Sequence, residues 1–259
     1  DGDYRLMSGN EMGCMLLDYI LKSKSAAGTL PENPTVVKTI VTSDLAARIA
    51  EKYGCQLIEV LTGFKYIGEQ ITLLEKAGNE DRYVFGFEES YGYLSGGDVR
   101  DKDGVVASML VCEMAAYYKS QGKTLLDVMN DLYKEHGVYQ HTMINAEFEG
   151  AQGMETMKAL MSGLRENRPT EIAGLRVVLF SDYMNSIAVD IQSGQTNEIH
   201  LPKSNVLSFG LEGNAGLIVR PSGTEPKIKA YITATGSDAA KAAEMAKKLT
   251  AAAKELLKV

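Results

Sequence analysis

The chain has 259 residues, a net charge of −7, 45% hydrophobic and 24% charged residues, which describes a soluble globular protein of one large or two ordinary domains. The acidic balance argues against nucleic acid as a main partner, because a phosphate backbone needs a basic footprint; a small phosphate ligand needs only a local cluster of positive charge. No apolar stretch is long enough to span a membrane, and three scattered cysteines, Cys14, Cys55 and Cys112, suit reduced thiols filling the core of a cytoplasmic protein.

The opening Asp1-Gly2-Asp3-Tyr4-Arg5 lacks an initiator Met and a basic-then-apolar leader pattern, so it reads as the start of a fragment or processed product. Asp1-Gly2-Asp3 itself reads as a hairpin turn, since Asp-Gly favours positive φ. Ser8 or Asn10 caps a helix to about Lys22, with Met12, Met15, Leu16 and Ile20 on one face. The β-branched run 35–42 predicts a strand, 43–53 a helix capped by Ser43, and 56–61 a second strand. A turn at 62–65 leads into a helix to Lys76, and 82–87 reads as a third strand. Alternation of this kind predicts an α/β layer with a largely parallel sheet, and ligands bind beyond the carboxyl ends of such strands.

Asp103 caps a helix over 105–121 and Thr124 another to about 135. Residues 139–148 read as a strand leaving the first domain, and Glu149-Gly150-Ala151-Gln152-Gly153 as the linker, giving domains 1–148 and 149–259. The second half reads as a helix at 154–166, strands at 175–182, 206–211, 217–219 and 228–234, and a last helix capped by Ser237. That pattern predicts an α+β domain with an antiparallel sheet. His136, His141 and His200 have no metal-ligand spacing, and neither a Walker A loop nor G-x-G-x-x-G is present.

Four stretches carry chemistry. Arg220-Pro221-Ser222-Gly223-Thr224-Glu225-Pro226-Lys227 lies between two strands. Its arginine fork, two hydroxyls and a Cβ-free glycine suit a phosphate; the alternative is a polar turn in which Arg220 pairs with Glu225. Gly86-Phe87-Glu88-Glu89-Ser90-Tyr91-Gly92 can exchange hydrogen bonds with vicinal sugar hydroxyls, or be a solvated acidic turn. Gly97 to Gly104 carries five charges and Thr62-Gly63-Phe64-Lys65 sits at a strand end; either is open to a surface reading.

These stretches, as they stand, resemble the α-D-phosphohexomutases, the phosphoglucomutase/phosphomannomutase family. Arg-Pro-Ser-Gly-Thr-Glu-Pro-Lys is similar to that family's C-terminal phosphate-binding loop. Glu88, Ser90 and Gly92 fall on its Glu-x-Ser-x-Gly sugar loop, Arg100 to Gly104 on its Arg-x-Lys-Asp-Gly segment, and Thr62 to Lys65 on its Thr-Gly-aromatic-Lys turn. Leu201-Pro202-Lys203-Ser204-Asn205-Val206-Leu207 leans toward the phosphoglucomutase branch. The resemblance covers essentially the whole chain but only the third and fourth of the family's four domains.

The resemblance implies phosphate contacts from Arg220, Ser222, Gly223, Thr224 and Lys227. It implies that Glu88 and Ser90 read ring hydroxyls beside Gly92, Thr62 and Gly63. Arg100 and Lys102 add cationic contacts, and Lys65 contacts substrate or assists proton transfer. The family's phosphoserine loop is absent. So is its Mg²⁺ loop of the type Asp-Gly-Asp-x-Asp-Arg, from which Asp1-Gly2-Asp3-Tyr4-Arg5 departs by lacking the third Asp. The resemblance therefore implies the substrate-binding half of a hexose 1-phosphate/6-phosphate mutase, with magnesium and a glucose 1,6-bisphosphate-type activator serving the full-length enzyme. The missing N-terminal domains would be its partners, and it would be inactive alone. Phosphomannomutase, phosphopentomutase and a stand-alone sugar-phosphate binding module remain open as alternatives.

Overall fold

The computed structural model describes residues 4–150 and 152–259. The hairpin expected at Asp1-Gly2-Asp3 lies outside the described residues. Two compact units divide between His136 and Gly137.

The first unit runs α1 (Gly9–Ala26), β1 (Thr35–Thr39), α2 (Leu45–Lys52), β2 (Gln56–Val60), α3 (Phe64–Lys76), β3 (Tyr83–Glu88), β4 (Gly92–Ser95), α4 (Gly104–Ser120) and α5 (Leu125–His136). Ser8 caps α1 reciprocally. Its hydroxyl accepts from the Glu11 N–H at 3.2 Å, and the Glu11 carboxylate accepts from the Ser8 N–H at 2.9 Å. The sheet order is β2-β1-β3-β4, with β1 parallel to β2 and β3 and β4 antiparallel on the edge. The chain moves from β1 out to β2 and then back across to β3. The strand order thus reverses at the β1/β3 boundary, where ligands of open α/β sheets bind.

Every residue of β1 is buried, as a central strand covered on both faces requires. One of them is Lys38. Its ammonium donates to the Thr42 carbonyl at 3.1 Å and to Asp44 at 2.9 Å, and pairs with Glu59 at 2.5 Å. On one face of the sheet α3 packs Phe64, Ile67 and Ile71 against Val37, Val60, Tyr83 and Leu94. On the other, α1 approaches so closely that a Cβ on Gly13 would lie 2.2 Å from the Phe87 ring.

The second unit runs β5 (Val138–Glu147), α6 (Gly153–Glu166), β6 (Glu171–Ile172), β7 (Leu175–Asp182), β8 (Ile187–Asp190), β9 (Thr196–Glu198), β10 (Leu207–Leu211), β11 (Ala215–Pro221), β12 (Lys227–Gly236) and α7 (Ala239–Leu257). Its antiparallel sheet has the order β5-β12-β11-β10-β7-β8-β9, with β6 paired to β7. β12 alternates strictly. Ile228, Ala230, Ile232 and Ala234 are buried with Met157, Met161 and Leu164 of α6 and Ala246, Leu249, Ala253 and Leu257 of α7. Both helices therefore cover one face of the sheet.

Several expectations change. The boundary expected at 148/149 falls at 136/137, because β5 pairs along its whole length with β12, from Lys227↔Glu147 to Gly236↔Val138. The segment 149–153, expected as a linker, instead connects β5 to α6 inside the second unit. The stretch after Phe87 is a hairpin, with β4 returning beside β3. The last helix is capped by Asp238, which accepts from the Lys241 N–H at 2.8 Å, rather than by Ser237. Cys14 is buried, and that burial pushes its thiol up to about 12, but Cys112 is exposed on α4 and fills no core.

Candidate functional site

In the first unit the candidate residues gather at the N-terminus of α3 and the β3–β4 hairpin. Glu88, the last residue of β3, is buried, and its Oε1 accepts from the Gly63 N–H at 2.8 Å. Gly63 has φ 126°, a region that favours glycine, and this conformation turns its amide toward the carboxylate. Across the hairpin, Glu88 pairs with Gly92. A Cβ on Gly92 would stand 3.1 Å from the Phe64 ring and 3.4 Å from Glu88 Oε2. The Lys102 ammonium lies 5.5 Å from the centre of the same Phe64 ring. Thr62, Gly63, Glu88, Gly92 and Lys102 are thus one contiguous group.

The other expected residues take different places. Ser90 is exposed at the hairpin tip, where Tyr91 adopts φ 64° and donates from its hydroxyl to the Met7 carbonyl at 2.9 Å. α1 pins that tip from below, since a Cβ on Gly9 would meet the Glu89 carbonyl oxygen at 2.0 Å. Lys65 is exposed, with its ammonium 4.7 Å over the ring of its neighbour Tyr66. Arg100 turns away toward the C-terminal part of α3, where it meets Glu75 and Thr72.

In the second unit the expected anion loop is the β11–β12 hairpin. Its ends are closed by the Ser222 N–H donating to the Lys227 carbonyl at 2.8 Å. Within it, Ser222 Oγ accepts from the N–H groups of Glu225 at 3.2 Å and Thr224 at 3.4 Å. Both amides turn inward onto that hydroxyl, so the loop curls back on itself. Nothing stands within 4 Å of where a Cβ on Gly223 would be, so the loop's tip is open.

The charges of this loop are arranged as follows. Glu225 does not go to Arg220; it pairs with Lys227, and that hydrogen bond holds the Lys227 ammonium above its ordinary pKa. Arg220 makes no ion pair among the described residues. On β11, Leu217 and Val219 are buried with the helices, so by alternation Arg220 stands on the opposite face. Its direct cross-strand partner is Lys229, which makes no ion pair among the described residues either. Like charges placed opposite one another destabilise a sheet, and an anion between them removes the conflict. Lys229 was not among the sequence candidates. The signal was available in the parity of the strand, since Lys229 shares the face of Arg220 once the two strands are paired across the loop.

With that geometry established, comparison with known proteins is direct. The family models for phosphoglucomutase/phosphomannomutase match in two pieces, the alpha/beta/alpha domain III over residues 8–136 and the C-terminal domain over 143–252. The chain belongs to the phosphoglucomutase/phosphomannomutase family. It is 37% identical over 234 residues to a phosphoglucomutase of Staphylococcus epidermidis and 37% identical over 232 residues to one of Staphylococcus aureus, covering 90% of this chain and 41% of each relative. The chain therefore spans about two fifths of the length of these curated relatives. Among solved structures it resembles Paramecium parafusin, a phosphoglucomutase, in its open form (TM-score 0.67, 17% identity, 98% of this chain and 42% of that one). It also resembles a phosphomannomutase described as putative from Thermus thermophilus (TM-score 0.62, 17% identity, 97% and 41%). At those identities the structural likeness speaks for the fold.

Proposed function

We propose that this chain is the substrate-binding half of an α-phosphohexomutase of the phosphoglucomutase type. The longer enzyme interconverts hexose 1-phosphate and hexose 6-phosphate through a phosphoserine and a hexose bisphosphate. The observation that carries the proposal is Arg220 opposite Lys229, two cations with no carboxylate between them, beside a hairpin whose amides converge on Ser222.

On this reading Arg220, Ser222, Gly223, Thr224 and Lys229 hold the phosphate that is not reacting. Lys227 takes part through its Glu225 pair, which sets the loop's shape. Glu88 accepts from ring hydroxyls with the oxygen not used by Gly63, and Ser90 adds a second hydrogen-bonding group. Lys65 and Lys102 supply positive charge near the sugar's substituents. Phosphoryl transfer depends mostly on positioning and charge neutralisation, and positioning is what these residues contribute.

The reacting serine and the magnesium ion belong, on the same proposal, to the rest of the longer polypeptide. Among the described residues no group of three or more His, Cys, Asp and Glu side chains suits a metal ion. On this reading the chain alone would have no mutase activity, because the family's phosphoserine loop does not occur in it. No helix among the described residues is long and apolar enough to cross a membrane; the cytoplasm is the location we propose from the family relation.

Titration of glucose 1-phosphate into the chain, followed by amide chemical shifts, tests the proposal. It should move residues 88–92 and 220–229, while inorganic phosphate should move the second set alone. Shifts absent from 220–229 under either ligand would remove the anion site.

A further inference from the structure

The loop from Gly97 to Asp103 carries two cations, and they reach in opposite directions. Arg100 Nε donates to Thr72 Oγ1 at 3.4 Å, its Nη2 meets Glu75, and its Nη1 meets the carbonyls of Gly97 and of Val99, the latter at 3.3 Å. Thr72 and Glu75 stand eight and eleven residues beyond Phe64, about 12 and 16 Å along the helix axis at 1.5 Å per residue. Lys102, two residues on, returns to the Phe64 ring at the helix start. The backbone is fixed as firmly as the side chain. A Cβ on Gly68 would lie 2.3 Å from the Arg100 carbonyl oxygen and 3.3 Å from the Arg100 Cβ, so the loop lies directly on α3 at its one bare position there.

We propose that Arg100 is a positioning residue that never meets the ligand: it straps the 97–103 loop along α3, and so holds Lys102 over Phe64 beside Glu88. This rests on the reading of Glu88 and its neighbours as a sugar-phosphate site, and it assigns to Arg100 a role different from the phosphate contact that the resemblance implied. The guanidinium has already committed its donors to a carboxylate, a hydroxyl and two carbonyls. A fork satisfied this way has little left to offer a phosphate. An isolated exposed ion pair contributes little; here four acceptors and a close backbone contact act on one short loop.

The test uses four variants of this chain: Arg100→Ala, Glu75→Ala, Gly68→Ala, and the exchanged pair Arg100→Glu with Glu75→Arg. Two quantities are measured, with melting temperature as a check on folding. The first is hydrogen exchange of the 97–103 amides without ligand. The second is glucose 1-phosphate affinity by calorimetry. A strap predicts that each single variant speeds loop exchange and weakens affinity by about five- to tenfold, although Glu75 and Gly68 carry no charge that attracts a phosphate. The exchanged pair restores the ion pair but not the bonds to the two carbonyls, and should recover part of both losses.

A direct ligand contact predicts otherwise. Arg100→Ala would weaken affinity, Glu75→Ala would leave exchange and affinity as in the parent chain, and the exchanged pair would bind no better than Arg100→Ala; that pattern overturns the proposal. Should the parent chain not bind glucose 1-phosphate at all while the exchange rates respond as described, the site reading falls and the strap stands. Unchanged exchange in Glu75→Ala and Gly68→Ala removes the strap whatever the ligand does.

Discussion

Replacing Lys229 with Met separates a structural lysine from one kept for a ligand. Lys229 and Arg220 are direct cross-strand partners on one face of the sheet and both are half-buried. Directly opposed Cβ atoms sit about 5 Å apart, and long side chains let the charges separate to roughly 6 Å or more. Two unit charges about 6 Å apart repel by roughly 1–3 kcal/mol at an effective dielectric of 20 to 40. Solvent and salt reduce that to about 0.5–1 kcal/mol for partly exposed groups. Lys229→Met keeps the packing stem and removes the charge, so the ligand-free chain should become more stable by that amount. The melting temperature of the second unit should rise by about 2–5 °C.

Binding should move the other way. One charge-assisted hydrogen bond contributes roughly 1.5–3 kcal/mol, so phosphate and glucose 1-phosphate should bind roughly 10- to 150-fold more weakly. Differential scanning calorimetry with and without millimolar phosphate, together with isothermal titration, gives both quantities from one preparation. The reasoning fails if Lys229→Met lowers the melting temperature while affinity stays at the parent value. Lys229 would then be an ordinary strand residue that tolerates Arg220 through solvent.

Arg220→Ala should weaken inorganic phosphate and glucose 1-phosphate alike by titration calorimetry, and Arg220→Lys should not restore binding, because a point charge cannot reproduce the planar fork. Gly9→Ala must displace the Glu89 carbonyl it would strike; it should weaken glucose 1-phosphate several-fold and leave inorganic phosphate affinity unchanged, both read by shift titration. The buried Lys38 tests charge pairing. Burial alone would push its ammonium's pKa down, but Asp44 and Glu59 outweigh that and hold it above the ordinary 10.5. Burial likewise raises the Tyr83 and Tyr93 hydroxyls above the ordinary 10.0. In each case the unfolded chain loses its proton first as pH rises, so the folded state's advantage is complete below about pH 10 and falls above it. Urea denaturation between pH 8 and 11 should show the first unit weakening first at the alkaline end; a flat profile would count against the paired Lys38. Removing both of its partners, with Asp44→Asn and Glu59→Gln, should cost about 3–5 kcal/mol, whereas Lys38→Met should cost far less.

The sequence revealed most where local chemistry decides the outcome. The Asp103 cap, the Ser8 cap (one of the two residues offered) and the strand from Thr35, which ends at Thr39 rather than 42, all follow from short-range rules. β4 escaped notice because Gly92 to Ser95 is only four residues long; it is a strand by virtue of β3 beside it. β8 and β9 are short strands of the same kind, the last two of the second sheet. The boundary after His136 depends on which sheet β5 joins, and alternation within β5 is the same for either choice. Among candidate site residues, Glu88 and Gly92 share one loop pattern with Ser90 and Gly63 lies in a separate turn motif, so the bond that joins Gly63 to Glu88 across 25 residues was not legible. Nor was the direction of Arg100, since it depends on Thr72 and Glu75, which lie on a helix 28 and 25 residues back in sequence. Lys38 was hidden for the opposite reason: inside a run of valines and threonines, nothing local marks a buried ammonium whose acids lie on other elements.

The bond from Gly63 to Glu88 has a consequence for selectivity. The start of a helix is by itself a receptor for negative groups, since its free amides and its dipole both favour them. At α3 that receptor has been filled from within by a fixed carboxylate. An incoming phosphate meets repulsion there, while a neutral polyol meets an acceptor already held in place. On the proposed function, the first unit would therefore discriminate by polarity before shape, offering uncharged hydroxyls an acceptor and a phosphate none of the usual welcome of a helix start.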